Sequence, residues 1–254
     1  MYYNKDDISM YYEKYGNSDK VIIILPGWGD TRNTFKIMID YFKLNYSVYI
    51  FDYPGFGNSV FPNRDLTIYD YTNIIREFIK DEGISNPIII AHSFGGRIAV
   101  LMAGYYKDSI KKLIMIDTSG IKPRKGPLKL LKQSIYKLLK KFSIFVPKRK
   151  RNLYFKRLIK IFGSADYKKL DKNMYNSFKN IVNEDLKYYI NNIDTETLII
   201  WGKLDKDTKL KYGKYMHKKI RKSSLVILPK AGHFSYLNYS TLTNKLISEF
   251  LKGE

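Results

Sequence analysis

The chain runs to 254 residues, 44% apolar and 27% charged, long enough for a buried core and too apolar for a disordered chain. It carries 45 Lys and Arg against 24 Asp and Glu, a formal +21, and no cysteine, which excludes disulfides, thiolate zinc sites and a Cys nucleophile and fits a reducing compartment. Apolar runs such as Val21–Leu25 fall far short of the roughly 20 residues of a membrane span, and the opening MYYNKDDISM lacks the basic and apolar regions of a signal peptide, so a soluble cytoplasmic protein is expected.

In chain order, Ile8–Lys14 is expected as an antiparallel strand at a sheet edge. Val21–Leu25 then opens a series of short β-branched apolar runs, continued by Val48–Phe51, Ile88–Ala91, Leu113–Ile116, Leu198–Trp201 and Leu225–Leu228. Runs this apolar suit parallel strands covered on both faces. Helical patterns at about 31–44, 67–81, 95–106, 208–219 and 240–252 lie between them. The alternation predicts a mostly parallel sheet wrapped by helices, with ligands bound at the carboxyl ends of the strands. Residues 121–180 read as an insertion, which leaves 1–120 and 181–254 as the core domain.

The charge is concentrated in that insertion. Between 121 and 172 there are 18 Lys and Arg, and the only acids are Asp166 and Asp171. The remainder of the chain is close to balanced. No nucleic-acid recognition motif accompanies the basic stretch, so nucleic acid is not an expected partner.

Three histidines are available, His92, His217 and His233. Ile88-Ile-Ile-Ala-His-Ser-Phe-Gly-Gly96 is a strand, a sharp turn and a helix, with Ser93 between the small residues Ala91 and Gly95. That spacing lifts a hydroxyl above the sheet and aims the first helix N–H groups at a developing negative charge. The alternative is an ordinary strand–turn–helix with Ser93 as a cap. A hydroxyl nucleophile needs a base. His233 follows the strand Leu225–Leu228 on a loop, His217 sits on a Lys-rich helix, and His92 points away from its neighbour Ser93, which leaves His233. The base needs an orienting acid, for which Asp205, after the strand Leu198–Trp201, is preferred over Asp117 and Asp207. The order Ser93, Asp205, His233 is that of one fold family. Gly27 and Gly29 let the backbone after Val21–Leu25 turn an N–H into the site, so the Trp28 and Phe94 amides form the expected oxyanion hole. Gly27, Tyr53, Phe56 and Arg97 are candidate pocket residues, and the chemistry calls for no metal or organic cofactor.

These motifs resemble the α/β-hydrolase family. Pro26-Gly-Trp-Gly-Asp30, Asp52-Tyr-Pro-Gly-Phe-Gly-Asn-Ser59, His92-Ser-Phe-Gly-Gly96, Trp201-Gly-Lys-Leu-Asp205 and Ala231-Gly-His-Phe234 stand in family order at family spacing, from about residue 8 to 252. The resemblance implies the α/β-hydrolase fold, a mostly parallel eight-stranded sheet flanked by helices, with a helical cap inserted after the sixth strand, where the basic segment falls. It departs from the family where Pro26 replaces a frequent His and Ala91 replaces the first glycine of the elbow. A Ser nucleophile disfavours dehalogenase and epoxide-hydrolase chemistry.

The implied activity is hydrolysis of a carboxylic ester or thioester of a small acyl substrate through an acyl-enzyme. Two other bonds are open on the same fold: the carbon–carbon bond of a meta-cleavage dienoate, for which Arg97 and the basic cap offer a carboxylate site, and the amide of a proline iminopeptidase. A non-catalytic binding protein on a hydrolase scaffold is the third class. In the cap, apolar residues at 128, 131, 135, 138, 139 and 142 make one face beside a lysine-rich face. That apolar face is expected to cover the site. The competing reading is a patch for anionic lipid or a membrane surface.

Overall fold

A computed structural model describes residues 1–122, 126–162 and 170–252. Residues 123–125 and 163–169 of the expected insertion lie outside the described residues, as does the side chain of Leu128. Eight strands form one sheet: β1 (Tyr2–Lys5), β2 (Ile8–Tyr15), β3 (Val21–Leu25), β4 (Ser47–Asp52), β5 (Ile88–His92), β6 (Lys112–Ile116), β7 (Thr197–Gly202) and β8 (Ser223–Leu228). Their order is β1-β2-β4-β3-β5-β6-β7-β8. Strands β3 to β8 run parallel, while β2 is antiparallel to β4 and β1 to β2.

The sheet edge is β1 rather than the Ile8–Lys14 segment expected there. Asp6 takes a left-handed φ of 52°, a conformation that Asp tolerates. The hairpin so closed pairs Tyr2 with Tyr11 and Lys5 with Ile8.

Strand side chains alternate between faces. Ile23, Leu25, Ile89, Ala91, Leu113 and Met115 therefore enter one core layer, and Ile22, Ile24, Ile88, Ile90, Ile114 and Ile116 the other. Each such buried aliphatic side chain stabilises by about 1.5–3 kcal/mol, which holds helices on both faces. On the first face lie α2 (Ile68–Asp81), α3 (Phe94–Leu101) and α8 (Leu210–Lys219), through Phe78, Ile98 and Met216. On the second lie α1 (Lys36–Phe42) and α9 (Ser240–Phe250), through Ile39 and Ile247. Helix α2 starts on a capping box: Thr67 accepts from the Asp70 N–H, and the Asp70 carboxylate accepts from the Thr67 N–H at 2.7 Å.

Between β6 and β7 come α4 (Pro127–Phe142), α5 (Lys148–Phe162), α6 (Tyr175–Asn183), which straddles residue 180, and α7 (Lys187–Ile190). The chain leaves and rejoins the core where the Leu186 N–H donates to the Gly120 carbonyl at 2.8 Å. Helix α6 docks on the core, with the Leu66 N–H donating to Ser177 Oγ at 2.7 Å. Helix α4 instead packs chiefly against α5, and Leu131, Ile135, Leu138 and Phe142 on its apolar face are 41–57% exposed. The expectation that this face covers the site is not met, because α4 leans on another exposed helix rather than on the sheet. No helix among the described residues is long and apolar enough to cross a membrane.

Candidate active site

The chain crosses from β4 to the far side of β3 to enter β5. This reversal of strand order opens a crevice at the carboxyl ends of β3 and β5, and the loops carrying Trp28 and Ser93 lie side by side there. The Gly95 N–H donates to the Pro26 carbonyl at 2.9 Å and ties the two loops together. Gly95 has no room for a side chain, since a Cβ would run into the carbonyl of Leu25.

Ser93 has φ 46° and ψ −109°, a sparsely populated conformation for a non-glycine residue that costs on the order of 1–3 kcal/mol. The strain turns the chain from β5 into α3 and leaves Ser93 half-buried at the rim. Phe94 is the first residue of α3, so its N–H has no intrahelical acceptor. On the other side of the crevice, Gly29 has φ 75°, and the turn it forms carries the Trp28 amide.

His233 Nε2 lies 2.9 Å from Ser93 Oγ, and His233 Nδ1 lies 2.9 Å from Asp205 Oδ2. With the carboxylate ionised, Nδ1–H donates to Asp205 and Nε2 is left to accept from the serine hydroxyl. Asp205 Oδ1 accepts from the Asp207 and Thr208 N–H groups at 2.8 and 2.9 Å. The Thr208 hydroxyl is 2.7 Å from Asp205 Oδ2 and 2.8 Å from the Asp117 carbonyl. Burial opposes ionisation of Asp205, but the hydrogen bonds from His233 and Thr208 outweigh it and lower its pKa. Burial also opposes charging of His233, but the bond to Asp205 and its charge outweigh that and hold the imidazole above the usual histidine value.

Of the three acids weighed from sequence, Asp205 is the one that meets His233. Asp207 is exposed. Asp117 is fully buried and braces the site, because its carboxylate accepts from the Gly202 N–H at 2.7 Å and the Ser235 N–H at 3.0 Å. Burial pushes its pKa up to about 6. Gly202 is pressed so close to the Gly232 carbonyl that a Cβ would collide, and the Leu204 N–H donates to the Ala231 carbonyl at 2.9 Å. The acid loop and the base loop are thus zipped together. Asp205, Asp207 and His233 are also a group whose ligand atoms lie within 4.8 Å of one another, but the first and last are engaged with each other.

The other two histidines are placed elsewhere. His217 is exposed and 3.0 Å from Ser223 Oγ. His92 is buried; its Nε2 donates to the His233 carbonyl at 2.9 Å and its Nδ1 lies 3.0 Å from Asp30 Oδ2. It thereby links the Trp28 loop to the His233 loop, a role that sequence reasoning missed. The signal available was the acid that closes Pro26-Gly-Trp-Gly-Asp30.

Aromatic rings cluster around Trp28. The Trp28 ring lies 5.0 Å from Phe94, 4.9 Å from Phe56 and 5.2 Å from Phe178 of α6. Tyr53 is buried behind Phe94, at 5.3 Å. Gly27 is buried beside the Asp30 carboxylate and the His92 ring. Arg97 is buried in α3, and its Nη1 donates to the Glu184 carbonyl at 3.1 Å.

Fold and crevice together define an α/β-hydrolase-fold enzyme. The chain belongs to the α/β hydrolase fold family, whose sequence model matches residues 20–238. It is 28% identical to the pimeloyl-[acyl-carrier protein] methyl ester esterase of Wigglesworthia glossinidia brevipalpis over 93% of this chain and 95% of that protein. It is 22% identical to 2-hydroxy-6-oxononadienedioate/2-hydroxy-6-oxononatrienedioate hydrolase 1 of Pseudomonas putida over 96% of this chain and 92% of that protein. The solved esterase of Exiguobacterium antarcticum superposes with a TM-score of 0.75 at 20% identity, covering 97% of this chain and 96% of the other.

Proposed function

We propose that this protein is a serine hydrolase that cleaves a carboxylic ester or thioester of a small acyl substrate, with Ser93, His233 and Asp205 as its catalytic residues. The observation that carries the reading is the unbroken chain from Ser93 Oγ through the imidazole to Asp205, 2.9 Å at each step. In this mechanism His233 takes the Ser93 proton as Oγ attacks the carbonyl carbon. Asp205 fixes the tautomer and stabilises the imidazolium. The Trp28 and Phe94 amides hold the oxyanion, and removing one such donor typically costs about 10²–10³ in rate. The imidazolium returns its proton to the leaving group. Water, deprotonated by His233, then releases the acid from the acyl-enzyme and regenerates Ser93. Of the helices between β6 and β7, α6 acts as the cap at this crevice, with its Phe178 against Trp28. A cytoplasmic setting goes with this reading, since a cysteine-free composition suits a reducing compartment.

The relatives named as methyl ester esterases favour the ester. The relatives named as dienedioate hydrolases keep carbon–carbon cleavage as a second reading. The engagement of Arg97 with a backbone carbonyl favours the ester over a substrate that this guanidinium must hold by a carboxylate. The test is turnover of nitrophenyl esters and acyl thioesters of graded chain length, beside a dienoate. Ester or thioester hydrolysis that falls by on the order of 10⁴-fold or more in Ser93→Ala is expected. Equal rates in the two proteins, or turnover of the dienoate alone, would overturn the ester reading.

A further inference from the structure

The helix pair α4–α5 carries a surface of its own, independent of the catalytic reading. Leu131, Ile135, Leu138 and Phe142 recur at the spacing of one helix face and stand exposed. This stripe runs into the turn between the helices, where Ile144 and Phe145 are 72% and 82% exposed. The turn is braced from below: Arg151 Nε donates to the Val146 carbonyl at 2.9 Å and Arg151 Nη2 to the Ile144 carbonyl at 3.0 Å. The apolar tip is therefore presented on a fixed backbone. Exposed Lys140 and Lys141 precede it, and exposed Lys148, Arg149 and Lys150 follow it. From 121 to 162 the sequence contains no Asp or Glu.

A contiguous exposed apolar patch of this kind marks a partner, and the chemistry of the patch says which. The apolar tip requires a partner with an apolar interior, and the ring of cations requires one with an anionic surface. A nucleic acid supplies the charge without the interior. An anionic bilayer supplies both, with headgroups at the depth of the lysines and the acyl boundary just beneath. We propose that the α4–α5 hairpin docks on an anionic phospholipid bilayer with Ile144 and Phe145 inserted at the headgroup boundary.

The test uses the whole chain carrying Ser93→Ala, so that no lipid turnover enters the readout, sedimented with vesicles of mixed phosphatidylglycerol and phosphatidylcholine or of phosphatidylcholine alone. Binding to the mixed vesicles and not to the neutral ones is expected. Ile144→Glu with Phe145→Glu should weaken it by roughly tenfold or more, and each of Lys148→Ala and Lys150→Ala by about fivefold. Both tip side chains are exposed, so the thermal midpoint should stay unchanged. If it falls, Phe145→Trp carries the test, with tip emission moving to the blue on mixed vesicles only. Four results would each overturn the proposal: no binding to either vesicle, equal binding to both, binding indifferent to the tip variants, or capture by polyglutamate without capture by vesicles. The last would assign the surface to an acidic protein.

Discussion

Asp205→Asn is the most informative single change at the candidate site. The amide can keep Oδ1 as acceptor for the Asp207 and Thr208 N–H groups, now 2.8 and 2.9 Å away, so the loop should hold its shape. What changes is the atom facing His233 Nδ1. An acceptor becomes an N–H₂ donor, which stabilises the tautomer with the proton on Nε2, and that nitrogen can no longer accept from Ser93. For a buried acid of this kind the loss is on the order of 10⁴ in kcat, or about 5 kcal/mol of transition-state stabilisation. The pH profile should move as well. General-base attack needs neutral His233, so activity rises with pH through an imidazole pKa that Asp205 holds above the usual value against the opposing effect of burial. Without the carboxylate, burial is opposed only by the more weakly acting charges of Asp117 and Asp207, and the midpoint should fall. Initial rates on a nitrophenyl ester across the pH range test both points. A drop of less than about tenfold, or a midpoint that stays or rises, would mean that Asp205 does not set the His233 tautomer.

The same pair makes stability and activity diverge. Asp205 has a lowered pKa, so its contribution to stability is present above its unfolded value of 3.8 and lost as pH falls through the lower folded value. His233 has a raised pKa, so its contribution is present below its unfolded value of 6.5 and lost as pH rises through the higher folded value. Thermal midpoints should therefore show the pair's contribution in full between those two unfolded values and weaken above, where activity climbs; parallel curves would contradict this. Asp117→Ala should leave the Gly202 and Ser235 N–H groups without acceptors, at about 1–3 kcal/mol each. It should lower both the melting temperature and kcat, and an unchanged kcat would deny the brace its positioning role. Gly95→Ala should cost about 3 kcal/mol or more, because its Cβ meets the Leu25 backbone. Gly83→Ala, with φ 64° and nothing within 4 Å, should cost only about 1–2 kcal/mol; equal melting temperatures for the two would refute the packing argument.

The parallel strands were legible because Val21–Leu25 and Ile88–Ala91 are apolar at every position, and only a strand covered on both faces buries that pattern. The serine and the candidate base and acid were legible from chain order, since each follows a strand end that a parallel sheet must bring to one rim. Strand β1 was not, because Tyr2–Lys5 is polar and half-exposed and its turn uses Asp6 where a glycine would have given a signal. The His92 brace depends on partners 62 and 141 residues away, which no local pattern encodes. In the insertion, periodicity revealed an apolar face on α4 but not what that face meets, and Leu131 and Phe142 are exposed. Packing between elements, rather than the period of one element, decides that direction.

Whether Ser93 is an activated nucleophile is read out by fluorophosphonate labelling followed by peptide mass spectrometry. One adduct, on Ser93, is expected, and His233→Ala should abolish it in a protein that circular dichroism shows to be still folded. A folded protein that takes no label, or takes it on another residue, would contradict an activated Ser93.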